Sequence, residues 1–335
     1  MQLTGESIEP SAGHRQSSDH RSPRVTVAIV TYRSKAELPG CIESILRSDI
    51  SIKIVVIDND SRDGTYELAR SYADSHRNIT ALATDRNIGL AAANNLVIPH
   101  IEGTHVLILN PDTVLEPDAI STMMSLMDER PDVGVVGPKN VYGDGRAFVS
   151  YQYAWNLGHV VLWRAMPYSL VRAMYDKWAR YDEREVFYVS GSCLLIRAEL
   201  FRNIGGYDPA FFLTIEDVCD LCERVRERGY NVVFTPRTKV VHYCGRSGDQ
   251  VPYLTVLCGY QGSIYYFSKR KGPLAGFLAY LIVTLGCAGQ LLASSLKVLL
   301  RRRSVDRTNL RVYARIMLEL LRRGRKIAVR GESDR

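Results

Sequence analysis

Cysteine is sparse in this chain: seven residues in 335, scattered from Cys41 to Cys287. An odd, dispersed set excludes the dense disulfide framework of a small secreted scaffold and points to a reducing compartment. The first 23 residues are rich in Ser, His, Arg and Gln and hold no apolar run, so they read as a disordered lead-in and not as a signal peptide. Glycine-rich phosphate cradles are missing as well. No G-x-G-x-x-G follows the first apolar run and no G-x-x-x-x-G-K-[ST] occurs anywhere, so a classical dinucleotide fold, a nicotinamide-dependent oxidoreductase and a P-loop all lack support. With 46% apolar and 24% charged residues, the composition is globular and excludes collagen-like, low-complexity and wholly disordered chains.

Charge is unevenly placed. Residues 269–335 carry 16 Lys/Arg against 4 Asp/Glu, a net of +12, which leaves −5 for residues 1–268 out of the total of +7. The bulk of the protein is therefore mildly acidic, which argues against nucleic acid as a partner. The positive charge flanks an apolar run, as expected of a segment that meets a membrane surface.

Through the first half, short β-branched runs alternate with helical patterns, which predicts an α/β fold with a mostly parallel central sheet flanked by helices. The predicted strands are Val25–Thr31, Ile52–Ile57, Ile79–Ala83, His105–Leu109 and Val133–Val136, and the predicted helices Ala36–Arg47, Thr65–Ala73, Leu90–Val97 and Pro117–Met127. Ligands of such sheets sit beyond the carboxyl ends of the strands. The residues there are all polar: Thr31-Tyr32, Asp58-Asn59-Asp60-Ser61, the Asn87-Ile88-Gly89 turn and Asn110-Pro111-Asp112. A nucleotide can bind such a set through an acidic residue on its ribose and a divalent ion on its phosphates, with Asp58 and Asp112 suitably placed. Residues 144–184 are aromatic-rich and poorly periodic; they either line an acceptor site or pack aromatics into the core. Order returns at Val186–Arg197, a strand, turn and strand. A charged helix to about Arg228 and strands Asn231–Thr235 and Lys239–Val241 follow, with His242 at the end.

Taken in order, Val27–Tyr32, Val56–Ser61 with Asp63-Gly64-Thr65, Asn87-x-Gly89 with Asn94, Leu109–Thr113, Gly191-Ser192 with Leu194, Gly205-Gly206-Tyr207-Asp208 and Glu216-Asp217 resemble the family-2 inverting glycosyltransferases of GT-A fold, in their bacterial rhamnosyltransferase-like branch. The resemblance covers roughly residues 24–268. It implies a glycosyltransferase domain there, with residues 24–140 as the nucleotide-binding half and 141–268 as the acceptor-binding half. It also implies a nucleotide-diphosphate sugar donor, dTDP-rhamnose in that branch, and a polyprenyl-linked glycan or polysaccharide acceptor. The alternative is a non-catalytic nucleotide-sugar-binding scaffold.

The site residues follow from the same resemblance. Asp112 stands where many relatives have an Asp-x-Asp that holds Mg²⁺ or Mn²⁺, with Asn110 beside it; strand-to-turn chemistry is the plain alternative. His242 completes the metal site or is an ordinary satisfied histidine. Asp58 and Thr31 match nucleotide contacts, joined by Tyr32, Asn87, Gly89, Asn94 and Asn110, although Asp58-Asn59-Asp60-Ser61 is also strong turn chemistry. Glu216-Asp217 marks the general base, a carboxylate that takes the proton of the acceptor hydroxyl. The family's Glu-Asp-x-Asp-Leu is one residue longer here, so two registers exist. One puts Val218 at the base position and the other Asp217; valine accepts no proton, which favours Asp217. Cys219-x-x-Cys222 with His242 and Cys244 is a poor zinc pattern. The family's Gln-x-x-Arg-Trp signature of processive synthases is absent, so one or a few sugars per acceptor are expected.

Residues 274–296 are uncharged and long enough to span a bilayer, yet Lys269-Arg270-Lys271 and Arg301-Arg302-Arg303 give both flanks a claim to the cytosolic side. An in-plane or re-entrant helix, broken near Gly286–Gly289, meets both claims. Leu310, Tyr313, Ala314, Met317, Leu320 and Leu321 form the stripe of a second interfacial helix. Residues 269–335 thus read as a basic tail that meets the membrane through 269–323 and places the enzyme at its cytoplasmic face. A single span and a helical hairpin for homo-oligomerisation are the other readings.

Overall fold

The computed structural model describes residues 22–147, 149–166, 170–171, 174, 181–243, 252–301 and 304–323. The lead-in at 1–21, Trp178 and Cys244 lie outside the described residues. Four strands, β1 (Val25–Thr31), β2 (Ile52–Asp58), β3 (Ile79–Ala83) and β4 (His105–Leu109), are parallel in the order β3-β2-β1-β4. Helices α1 (Leu38–Leu46), α2 (Thr65–Ser75) and α3 (Leu90–Asn95) form their crossovers.

Beyond β4 the sheet becomes mixed. Strand β5 (Thr113–Leu115) leads into helix α4 (Ala119–Glu129) and β6 (Val133–Val141). A two-stranded ribbon of β7 (Tyr151–Gln152) and β9 (Tyr188–Val189) precedes β10 (Cys193–Arg197), with α5 (Leu157–Ala165) and β8 (Arg184–Glu185) in between. β10 inserts antiparallel between β4 and β6. Then come α6 (Ala198–Asn203), α7 (Glu216–Glu227) and β11 (Asn231–His242), which runs parallel to β6 and is flanked by β5 at the sheet edge. The predicted pair of strands at 231–241 is one strand with an irregularity between Thr235 and Lys239; Pro138 stands opposite Thr235 and Pro236 falls within the irregular stretch, and neither proline has an N–H to donate.

Side chains on β1, β2 and β4 alternate between two cores. Val27, Ile29, Val56 and Leu107 pack with α1 and α4 on one face; Ala28, Val30, Val55 and Ile108 pack with α3, α6 and α7 on the other. Trp155 and Tyr151 belong to the second core, so for them core packing is the correct reading of the aromatic-rich segment.

Three helices close the chain: α8 (Pro252–Lys271), α9 (Pro273–Arg301) and α10 (Ser304–Arg323). They extend the second core through Tyr260, Ile264, Phe267, Val283, Ile316 and Leu320. Three expectations for this region are corrected. Helix α9 is unbroken across Gly286–Gly289, because the helix on either side is already fixed by packing and glycine costs a helix interior only about 1 kcal/mol. The α10 stripe turns inward: Ile316 and Leu320 are fully buried and Tyr313 and Met317 pack against the core, leaving Leu318 and Leu321 outside. Lys269, Arg270 and Lys271 are engaged in ion pairs with Asp208, Asp220, Glu223 and Glu227 and do not form a free basic flank.

Candidate active site

Strands β1 and β2 end side by side, Thr31 opposite Asp58. The Thr31 hydroxyl donates to Asp58 Oδ1 at 3.0 Å, the Ser61 amide donates to Oδ2 at 3.1 Å, and the Ser61 hydroxyl also bonds Oδ1. Asp58 is buried and holds this loop closed, so the turn chemistry read from the sequence is realised in full. The loop is tightly wound: Arg33, Asp60 and Arg62 have φ of 53°, 63° and 56°, left-handed conformations that side-chain-bearing residues adopt at a cost and that concentrate around binding sites. The Arg33 amide bonds the Ser61 hydroxyl, tying the two strand-end loops together, and Tyr32 is half-buried beneath the Arg33 guanidinium.

A second tie runs through Asn59. Its amide group donates to Asn87 Oδ1 at 3.0 Å and its carbonyl oxygen accepts the Ile88 N–H at 2.9 Å. This fixes the turn that ends in Gly89. Gly89 has φ +89°, and a Cβ there would lie 2.7 Å from the Phe212 ring and 2.9 Å from its carbonyl oxygen. Leu90 N–H donates to that same carbonyl at 2.6 Å. Only glycine lets the two segments approach so closely. The predicted nucleotide turn is thereby locked to the segment that leads into the acidic helix. Asn94, read from the sequence as a nucleotide contact, is buried and bonds the Leu90 carbonyl of its own helix. Its neighbour Asn95 clamps Tyr207 through both backbone groups, at 2.7 Å each.

Asp112 and His242 meet because β5 pairs with β11 in a register that sets His242 opposite Thr113. Asp112 Oδ1 lies 3.2 Å from His242 Nε2, each side chain about a tenth exposed at 11%, and Tyr243 N–H donates to the Asp112 carbonyl at 3.0 Å. A carboxylate oxygen and an imidazole nitrogen on rigid strands at a partly open sheet end suit Mg²⁺ or Mn²⁺. Among the described residues no third His, Cys, Asp or Glu joins them, so such an ion would draw its remaining ligands from donor phosphates and water. Asn110 is anchored by its backbone: its N–H donates to the Ser192 carbonyl at 2.9 Å and its carbonyl accepts the Thr113 hydroxyl at 2.6 Å.

Gly191-Ser192 connects this corner to the acidic helix. A Cβ on Gly191 would meet Val218 Cγ2 at 2.7 Å, and Val218 lies in the apolar core, a position without base chemistry. The preceding residues open α7. Glu216 and Asp217 occupy its first turn, where carboxylates complement the helix dipole. Burial pushes the Asp217 carboxyl up to about 8; the Val218 N–H bond opposes this, and the charges of Glu216 and Asp220 add to it. Asp220 differs. Burial works against its charge, but bonds from Lys269 and Arg270 and the charge of Arg224 outweigh burial and hold it below the ordinary carboxylate range. Cys219 and Cys222 are fully buried in the core with their thiols pushed up by burial, Cys222 to about 12, the reverse of what zinc thiolates require.

Four residues that sequence reasoning did not single out organise the site: Asn59, Asn95, Phe212 and Asn140. The last is fully buried, accepts the Ser192 hydroxyl at 3.3 Å, and its amide nitrogen has no partner among the described residues. Asn59 sits inside a quoted motif and was within reach; the other three act through contacts distant in sequence.

The sequence model described as Glycosyl transferase family 2 matches residues 26–205. The chain is 28% identical over 260 residues to an N-acetylglucosaminyl-diphospho-decaprenol L-rhamnosyltransferase of Mycobacterium tuberculosis, spanning 72% of this chain and 82% of that one. It is 22% identical over 236 residues to a rhamnosyltransferase of Escherichia coli, spanning 65% and 83%. Among solved structures it resembles a mannosyltransferase from Pyrobaculum calidifontis in complex with GDP-Man and Mn²⁺, with a TM-score of 0.54 at 19% identity over 90% of this chain and 87% of the other.

Proposed function

The chain belongs to glycosyltransferase family 2, in its rhamnosyltransferase-like branch and with the GT-A fold, and from that premise we propose that it transfers rhamnose from dTDP-rhamnose to a polyprenyl-diphosphate-linked glycan with inversion at the anomeric carbon. The observation that carries this reading is the pairing of two unlike acid sites around one sheet end: Asp112 beside His242, and Asp217 holding its proton up to about 8. A base tuned toward neutral pH suits the removal of a proton from a hydroxyl.

In this mechanism Asp112 and His242 would hold a divalent ion, which would supply positive charge to the donor diphosphate. The loops around Thr31, Asn59 and Asn87 receive the nucleotide. Asp217 takes the proton from the acceptor hydroxyl, the hydroxyl oxygen bonds the anomeric carbon, and the bond from that carbon to the diphosphate oxygen breaks, releasing the nucleoside diphosphate. Attack from the face opposite the leaving group inverts the configuration.

The lipid-linked acceptor calls for a membrane surface, and α9 supports one. Its inner face, Ala279, Val283 and Cys287, is fully buried. Its outer face carries Leu274, Leu278, Leu281, Leu285, Leu292 and Leu296, all exposed. At about 1.5 Å per residue this apolar stripe is some 35 Å long, lying along the protein and so suited to enter a bilayer sideways.

The test is incubation of the purified protein with Mn²⁺, a short-chain N-acetylglucosaminyl-diphospho-polyprenol and a panel of nucleotide sugars. Transfer is expected with dTDP-rhamnose, and Asp217→Asn is expected to abolish it while sparing donor binding. Neither transfer nor donor hydrolysis with any sugar nucleotide, or a folded Asp217→Asn protein that still transfers, overturns the reading.

A further inference from the structure

The residues on either side of Asp217 are held from another element, α8. The Ser263 hydroxyl bonds the Glu216 carboxylate, which is fully buried and also receives the Thr214 hydroxyl. One residue earlier, a Cβ on Gly262 would lie 2.5 Å from Thr214 Oγ1, so the two segments touch at this point. One turn along α7, Asp220 is fully buried too. Its Oδ1 takes Lys269 Nζ at 2.8 Å and Arg270 Nε at 2.7 Å, while Arg224 Nε occupies Oδ2 at 2.8 Å. Farther on, the Tyr266 hydroxyl donates to Glu223 at 2.8 Å and Arg270 Nη1 to Glu227 at 2.7 Å. Residues 216, 220, 223 and 227 share one face of α7, and 263, 266 and 270 share one face of α8. A polar seam therefore joins the helices where apolar residues would serve packing equally well, and a seam of paired buried charges is costly to break or to slip by one turn.

We propose that α8 is the positioning element of the acidic helix: Ser263, Lys269 and Arg270 fix the register of α7 and set the negative charge around Asp217. The inference rests on Asp217 being the general base. Around it stand Glu216, Cys219, Asp220 and Cys222 on its own helix and Tyr207 from the preceding turn, with Arg224, Lys269 and Arg270 reaching it through Asp220. Loss of Arg270 leaves the Asp220 charge less compensated, so Asp217 keeps its proton to higher pH. Loss of the Asp220 charge has the opposite effect.

The experiment compares pH–rate profiles of full-length wild type, Asp217→Glu, Arg270→Gln, Arg270→Lys and Asp220→Asn, with dTDP-rhamnose varied up to saturation and the short-chain acceptor saturating. Arg270→Gln is expected to lower kcat about tenfold with donor KM within about twofold, and to move the acid limb up by roughly half a pH unit. Arg270→Lys restores most of both, and Asp220→Asn moves the limb down. Limbs unmoved in Arg270→Gln and Asp220→Asn, or moved in the same direction, overturn the positioning role while the base assignment stands. An acid limb that Asp217→Glu does not move overturns the base and the positioning role together. Should Arg270→Gln not fold, Ser263→Ala takes its place: a lowered kcat at unchanged donor KM is expected, and an unchanged kcat overturns the proposal.

Discussion

The two faces of the central sheet are closed in different ways. On one, β1, β2 and β4 are covered by α1 and α4, elements supplied within about a hundred residues of the strands they cover. On the other, α3, α6 and α7 leave part of the core open, and α8, α9 and α10 finish it with side chains as distant as Ile316 and Leu320. The acidic helix lies on this second face. One face is thus a scaffold assembled locally, whereas the face that carries the proposed base depends on the end of the chain.

Removing residues 252–335 breaks the comparison most severely. It strips Tyr260, Ile264, Tyr266 and Phe267, with Val283, Ile316 and Leu320, from the second core. At about 1.5–3 kcal/mol for each large buried side chain, the loss of roughly 10–20 kcal/mol is as large as the roughly 5–15 kcal/mol by which domains are stable. The truncated protein should show no cooperative thermal transition and should be digested rapidly by protease. Single cavities sharpen the contrast. Met123→Ala on the first face and Phe267→Ala on the second should cost about 2–5 and 3–5 kcal/mol in denaturant titrations. Only Phe267→Ala should also lower kcat, because only α8 grips the acidic helix; equal kcat in both would erase the distinction between the faces.

The same contrast governs what the sequence made legible. Strands β1, β3 and β4 appear at their predicted bounds, because a buried parallel strand advertises itself by a β-branched run closed by polar residues. The Asp112–His242 pairing was one of the two readings the sequence offered for His242; Asp112 immediately precedes β5, His242 ends β11, and the β5–β11 register brings them together. The α8 seam was not. Lys269, Arg270 and Lys271 beside an uncharged run look like a membrane flank, and nothing local to them says that Asp208, Asp220 and Glu223 wait across a helix interface. Inward and outward faces of α10 were likewise interchangeable by periodicity alone, since a stripe facing lipid and one facing protein have the same spacing. Asn94 shows a local bond of the same illegible kind: an asparagine in a helix can bond its own backbone, and here its amide does.

A smaller effect lies in the pH dependence of stability. Asp217 is raised to about 8 from the ordinary value near 4, so the folded protein binds a proton there that the unfolded chain has released. Its contribution is fully present below about pH 4, falls as pH rises through the window, and is lost above about pH 8. Asp217→Asn, neutral throughout, should therefore match wild type in thermal stability near pH 4 and exceed it by a few degrees at pH 8. Met123 carries no titratable group, so Met123→Ala should run parallel to wild type across the same range. A pH-independent gap between Asp217→Asn and wild type would mean that the carboxyl is not held protonated.

The smallest change in stability should come from the outer face of α9, and there the readout moves from folding to location. Leu285 and Leu292 are 71% and 72% exposed, while Val283 and Cys287 on the opposite side are fully buried. Replacing both leucines with serine removes apolar surface that is already in water, so the thermal midpoint should stay within about 1–2 °C of wild type, as for surface substitutions generally. Co-sedimentation with vesicles containing anionic lipid should fall several-fold, because the same side chains no longer enter the acyl boundary. Transfer to a short-chain, water-soluble acceptor should persist and transfer to a long-chain acceptor in vesicles should decline. Unchanged vesicle binding, or a lowered midpoint together with a shift in oligomeric state on gel filtration, would assign the leucine stripe to a protein partner and detach the second face from the membrane.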